Sequence, residues 1–235
     1  MQSPEAPTEP VVTSRPAPSG IAAAVATKGR RRLLGATLGL AVVAAVGLTV
    51  ATDPAGRTLA ATSEPAQSLV SVLVPLLGVL LGNALRRTRT SVAATLTSAA
   101  LAAAASAAVG TAAAAVTVAA TSSAPDRWHR GVAVAVGCVA VQVVAQLVGT
   151  GLGLLIPLRP VAMAATVILP LGLWAALGAV PGLAAAQPWL TPYAWVPTLL
   201  GGSSPATGWA PYAVVIALWA VGLNAVGVLR LRRRP

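Results

Sequence analysis

The sequence predicts an all-α, polytopic membrane protein with six transmembrane helices and both termini in the cytoplasm. Three observations carry that expectation. Six long apolar runs alternate with short charged or Pro/Gly-rich gaps. Hydrophobic residues make up 56% of the chain and charged residues 9%, whereas an ordinary soluble domain carries ~25% charged residues. Arginines cluster at alternate gaps, as the positive-inside rule requires of cytoplasmic ends.

Residues 1–27 hold Pro4, Pro7, Pro10, Pro16 and Pro18 among Ser, Thr, Ala and Glu, the composition of a disordered tail. Lys28, Arg30, Arg31 and Arg32 precede the first span, residues 33–51. That run exceeds the roughly 7–15 apolar residues of a cleavable signal, and a long polar tail precedes its basic cluster. It therefore reads as the uncleaved first span of a transmembrane domain covering 28–235. Residues 52–65 are polar. The second span, 66–85, contains Pro75, which a membrane helix tolerates as a kink. Arg86-Arg87-Thr88-Arg89 closes it.

The third run, 91–121, is mostly Ala with Ser, Thr and Val. As one helix it would be roughly 46 Å long. Two crossings need ~40 residues plus a turn, so it crosses once and protrudes or tilts. Its small residues allow close helix approach, but no single small-xxx-small pair stands out. The fourth span, 132–156, is the clearest. Between Arg130 and Arg159 its only ionisable side chain is Cys138. A helix rising ~1.5 Å per residue needs ~20 residues to cross a bilayer, and soluble core helices are rarely apolar all round at this length. Its Gly149-Thr150-Gly151-Leu152-Gly153 stretch follows no strand, so it reads as helix packing rather than a phosphate loop.

Pro157 and Pro160 bracket a short turn containing Arg159. The fifth span, 161–180, carries Pro170 in its middle. Residues 181–211 differ in kind. They hold Trp189, Tyr193, Trp195 and Trp209 among many Pro and Gly, and such aromatics concentrate at the headgroup level. The sixth span, 212–229, ends in Arg230, Arg232, Arg233 and Arg234. With this count the outside loops hold only Arg57, Arg127 and Arg130, offset by Asp53, Glu64 and Asp126.

Net charge is +11 and the sequence pI is near 11.8, which raises nucleic acid as a partner. The arginines sit at span ends, however. The charge reads as topology and attraction to anionic headgroups of the lipid bilayer, with no nucleic-acid partner expected.

Little in the chain points to catalysis. Cys138 is the only cysteine, which excludes a disulfide framework and a Cys-based metal site; it reads as a packing residue. His129, the only histidine, sits beside an Arg in a loop and reads as solvated. No Walker A, HExxH, CxxC or GxSxG pattern occurs, and no nucleophile–base set is present. The expectation is a protein that is not an enzyme and uses no metal or cofactor. All five acidic residues, Glu5, Glu9, Asp53, Glu64 and Asp126, lie in the tail or external loops. Ion-coupled carriers usually bind the driving ion on an intramembrane carboxylate or His. A transporter built from this chain would draw its energy from a partner. Gln142 and Gln146 share one helix face at i, i+4 near the midplane, and with Asn224 are the candidate substrate path. The alternative is that these amides, like Asn83, hydrogen-bond to a neighbouring helix.

The chain resembles the membrane-spanning permease subunit of type-2 ABC exporters. The resemblance rests on six spans with cytoplasmic ends and on the short basic loop Arg86–Thr90 between spans two and three. It rests also on the fourth-span ending VGTGLGLLIPLRPVAMAA, the external segment QPWLTPYAWVPTLL and the final NAVGVLRLRRR. It implies a dimer of permease subunits in the bacterial cytoplasmic membrane, each subunit served by a separate ABC ATPase. It implies coupling to that ATPase through Arg86, Arg87 and Arg89. It also implies a re-entrant segment at about 187–200, where Trp189, Tyr193 and Trp195 lie. The Ala-rich third span and a first external loop without a clear motif depart from the pattern. The alternative is a non-transport membrane protein such as an immunity, anchoring or assembly factor.

Overall fold

Hydroxyl caps start the first three long helices. Thr27 accepts from the Arg30 N–H at 3.3 Å, Thr58 from Ala61 at 3.1 Å and Ser91 from Ala94 at 3.4 Å. Each satisfies a backbone donor that a helix start would leave open. The helices are α1 (Lys28–Ala51), α2 (Leu59–Leu85) and α3 (Val92–Thr121). They are followed by α4 (Gly131–Leu155), α5 (Arg159–Ala179) and α6 (Ala210–Arg232). All six are long and apolar enough to cross a membrane, and they mark a multi-pass membrane protein. The computed structural model describes residues 21–88, 91–203 and 208–233, all of whose regular elements are helical. The expected tail residues 1–20, together with Arg89, Thr90 and Arg234, lie outside the described residues.

The helix ends fall close to the expected spans, with two differences. α2 begins at Leu59, not 66, because the Thr58 cap starts it ahead of Glu64 and Pro65. Within the expected tail, Ile21–Ala24 forms a helical turn, and Ala24 is buried with Leu77, Leu81, Ala99 and Ala102 between α2 and α3.

The centre of the bundle is the pair α2 and α4. Along their contact, Gly149 meets Pro75, Gly153 meets Val79, and Gly78 and Gly82 meet the turns from Gln146 to Leu154. The partner numbers rise together, so the two helices run parallel. A Cβ on any of these four glycines would collide with backbone of the other helix. Gly78 and Gly82, like Gly149 and Gly153, are spaced i, i+4 and therefore share a face. Two glycine-xxx-glycine faces thus lie against each other, which lets backbones approach as bulkier residues cannot.

The other elements build on this pair. α3 packs on α4 and α2, and α1 lies across α2 and α3. α6 packs along α4 with reciprocal fit: Gly151 receives Leu223, and Gly227 receives Leu154. Within α6, Ile216–Gly222 winds as a π-helix. α5 sits at the edge against α2 and α4, with Ile168, Leu169, Leu171 and Trp174 turned outward.

One arginine ties the C-terminal ends of α1 and α3 together. The Arg57 guanidinium donates to the Thr52 carbonyl at 2.7 Å, Val50 at 2.8 Å and Thr121 at 3.1 Å. These carbonyls close α1 and α3, where the helix dipoles are negative. Ser122 donates back to the Arg57 carbonyl at 2.7 Å, and the Leu59 N–H to that of Arg127 at 2.9 Å.

Replacing Gly149 with Leu should break the α2–α4 contact. We expect loss of a monodisperse detergent-solubilised protein, or a destabilisation beyond the ~1–3 kcal/mol typical of overpacking. Gly172→Leu is the control, since a Cβ there meets nothing within 4 Å. Equal thermal midpoints for the two variants would mean that α2 and α4 are not in contact.

Candidate functional site

The segment between α5 and α6 folds back onto the bundle. It consists of short turns: Ala184–Ala186, Gln187–Leu190, Pro192–Trp195 and Val196–Leu200. Three contacts anchor it to the helices, and a fourth, from Trp195 to Pro188, is internal to it. The Gln187 amide donates to the Trp174 carbonyl at 2.7 Å, and Gly178 leaves it room. The Trp195 indole donates to Pro188 at 2.6 Å, and the Trp219 indole to Leu190 at 2.7 Å. The Leu199 carbonyl rests on Gly137, where no Cβ fits. At the far end Gly202 takes φ +64°, where a Cβ would crowd Val134, a turn that only glycine adopts without strain. Gly137 and Trp219 lie roughly 9 Å and 13 Å along α4 and α6 from their N-terminal ends, at ~1.5 Å per residue. The segment therefore reaches below the helix ends.

The three aromatic residues singled out from sequence behave differently. Trp189 is exposed, Tyr193 is half-buried, and Trp195 is 3% exposed. Trp195 and Tyr212 pack with ring centroids 5.5 Å apart and planes at 48°. Burial pushes the Tyr193 phenol up from its ordinary pKa, so it keeps its proton through the neutral range.

Beneath this segment lies a cavity of about 60 Å³, enough for a few waters. Its roof is Pro192, Tyr193, Trp195 and Leu199, and its walls come from α4, α5 and α6. Ser71 and Pro75 of α2, and Thr166 and Pro170 of α5, complete the lining.

Gln142, Gln146 and Asn224 do not line this cavity. Both glutamines are fully buried, and Asn224 is 5% exposed. The Gln142 amide donates to the Gln67 carbonyl at 2.8 Å and to Gln67 Oε1 at 3.0 Å. Gln67 in turn donates to the Ala107 carbonyl at 3.1 Å and to Thr111 Oγ1 at 3.3 Å. One amide relay thus joins α4, α2 and α3. With its amide oriented to satisfy both neighbours, Gln146 donates to the Val74 carbonyl and accepts from the Gly78 N–H at 3.2 Å. Asn224 donates to the Leu147 carbonyl at 2.8 Å and to Ala220 at 2.7 Å, linking α6 to α4. All three amides bond to helix backbone. Asn83 likewise donates to Val79 at 3.2 Å. Gln142 Oε1 and Asn224 Oδ1 are buried acceptors with no partner.

At the opposite end, Arg86 caps the C-terminus of α2 half-buried and Arg87 follows exposed. The sequence-selected residues thus fall into three separate places: this basic turn, the amide relay and the roof formed by the segment between α5 and α6. Gln67, Pro75 and Pro170 join them as functional candidates. Gln67 carried the same signal as Gln142, an amide in an apolar helix. The prolines carried no signal that they share one cavity.

Comparison of the chain with protein-family models, with curated proteins and with solved structures finds no match.

Replacing Gln142 with Leu should destabilise the bundle by about 1–2 kcal/mol, because Gln67 Oε1 loses its donor. A double-mutant cycle of Gln142→Leu with Gln67→Leu should give a coupling of about 1 kcal/mol in denaturant unfolding of the solubilised protein. Additive losses would show that the relay is not a bonded unit.

Proposed function

We propose that the chain is the transmembrane subunit of an ATP-driven ABC exporter in a bacterial cytoplasmic membrane, with both termini cytoplasmic. It pairs with a second permease subunit, forms the substrate path, and takes its energy from a separate ATP-binding subunit. The observation that supports this reading best is the folded-back segment between α5 and α6, with a cavity beneath it. A wall of short helices hung on tryptophan and glutamine bonds is more elaborate than a loop joining two anchoring helices requires.

Two further features fit. The described acids, Asp53, Glu64 and Asp126, lie at the ends of helices or in the loops that also hold Arg57 and Arg127, away from the cavity. The core therefore offers no carboxylate for a driving ion. Arg86 and Arg87 form a compact basic turn at the other end of α2, suited to carboxylates on a partner ATPase because the guanidinium pairs bidentately. Coupling is assigned to these two and to Arg89, and the path to the faces around the cavity and the amide relay.

Purification from its native membrane should bring down an ATPase with a Walker motif, while the chain alone hydrolyses no ATP. Triple replacement of Arg86, Arg87 and Arg89 with Lys keeps charge and insertion but loses the fork. We expect ATPase recovery to fall roughly tenfold, the effect of losing a charge-assisted bidentate bond. Undiminished recovery would leave these arginines as determinants of orientation only. Absence of any ATPase would favour an anchoring or immunity factor. Reporter fusions at Pro235 and within residues 55–63 should report opposite compartments. An external C-terminal reporter rejects the topology.

A further inference from the structure

The cavity beneath the external segment has a chemical bias. Pro75 and Pro170 both line it, and neither has an N–H. The carbonyls of Ser71 and Thr166, four residues earlier, therefore have no helical donor at i+4. Ser71 and Thr166 line the same cavity. Their hydroxyl protons are already committed: Ser71 donates to the Ser68 carbonyl and Thr166 to the Met163 carbonyl, each at 2.7 Å. The Trp195 indole N–H is committed to Pro188. Two residues on two helices that line one cavity thus each carry a carbonyl without a helical donor, and the phenols of Tyr193 and Tyr212 also line it.

Charge narrows the occupant further. No Asp, Glu, Lys, Arg or His lines the cavity. A cation would find no counter-ion and an anion no basic side chain, so burying either charge in this apolar wall would be costly. A neutral hydrogen-bond donor suits the lining. The volume takes a head group, so the rest of such a molecule must continue out of the cavity along the apolar faces of α4 and α5.

We propose that this cavity binds the head group of an uncharged amphiphile bearing hydroxyl or amide N–H donors, held by the acceptors that Pro75 and Pro170 release at Ser71 and Thr166. The proposal rests on the exporter reading for its biological meaning, since it names the class of substrate. The binding itself is testable without it.

The test uses the full chain in phosphatidylcholine nanodiscs and a medium-chain primary alcohol carrying a mid-chain diazirine. After irradiation, labelled peptides are mapped by mass spectrometry. We expect saturable labelling within Val141–Val148 and Pro192–Leu199. The matched unlabelled alcohol should compete, while the matched carboxylate and trimethylammonium should not. Ala145→Phe, which fills the cavity, should abolish saturable labelling. Pro170→Ala, which returns a donor to the Thr166 carbonyl, should weaken it roughly three- to tenfold, the effect of one hydrogen bond. Non-saturable labelling spread over α1 and α3 would overturn the proposal. Equal competition by the carboxylate or the ammonium would overturn it too, and both readouts use the unaltered protein. ATPase recovery is scored separately. Saturable, donor-selective labelling without any ATPase supports the site and rejects the exporter. ATPase recovery without such labelling rejects the site alone.

Discussion

The rest of the bundle depends on the close approach of α2 and α4. Four glycines, Gly78, Gly82, Gly149 and Gly153, remove the side chains that would hold the two backbones apart. In a membrane this matters more than in water, because lipid is as apolar as leucine and burial alone gives helices little reason to associate. Contact between backbones replaces that missing drive with dispersion and weak Cα–H···O bonds. The same contact fixes register. Proline 75 sits against Gly149, so the kink of one helix is matched by the narrowest point of the other.

Register then decides the fate of the polar groups. Once α2 and α4 are locked side by side, Gln142 falls opposite Gln67, and Gln146 opposite the turn from Val74 to Gly78. An amide left unbonded in hydrocarbon costs several times what a bonded one contributes. These bonds therefore act more against wrong registers than for the right one. Arg57 works similarly at the C-terminal ends of α1 and α3. It takes carbonyls that α1 and α3 cannot satisfy internally and places a positive charge where both dipoles are negative.

The spans were legible in the sequence because the bilayer imposes a length that composition reveals directly. All six long helices lie where apolar runs predicted them, and the glycine cluster at 149–153 packs a helix as read. The start of α2 was not legible, since Glu64 and Pro65 resemble a loop and only the Thr58 cap overrides them. The amides carried a signal without a meaning. Sequence left Gln142 and Gln146 between substrate contact and helix bonding, and their backbone partners appear only once three helices are assembled. The cavity was least legible. Its lining comes from four helices and the segment between α5 and α6, and hydropathy does not record that Pro75 and Pro170 converge.

These packing differences also limit where the protein can change shape. α2 and α4 cannot slide past each other without driving Gly149 or Gly153 away from the backbone they touch. α6 is keyed to α4 by Gly151 and Gly227, and α3 by the amide relay. α5 has no such lock: it contacts the bundle sparsely, turns most of its large side chains outward, and carries Pro170 at its middle. The segment between α5 and α6 is held by the hydrogen bonds of Gln187 and Trp219 and by the packing of Leu199 and Leu200 on the core. The 60 Å³ cavity lies between these two elements and the rigid core. Any widening that admits a whole amphiphile must therefore come from α5 swinging at Pro170 or from the roof lifting off α4. Ser71 and Pro75 stay fixed on the core side in either motion. A ligand grips one immobile wall and one mobile wall, so its binding free energy can be converted into a displacement of α5 relative to the core.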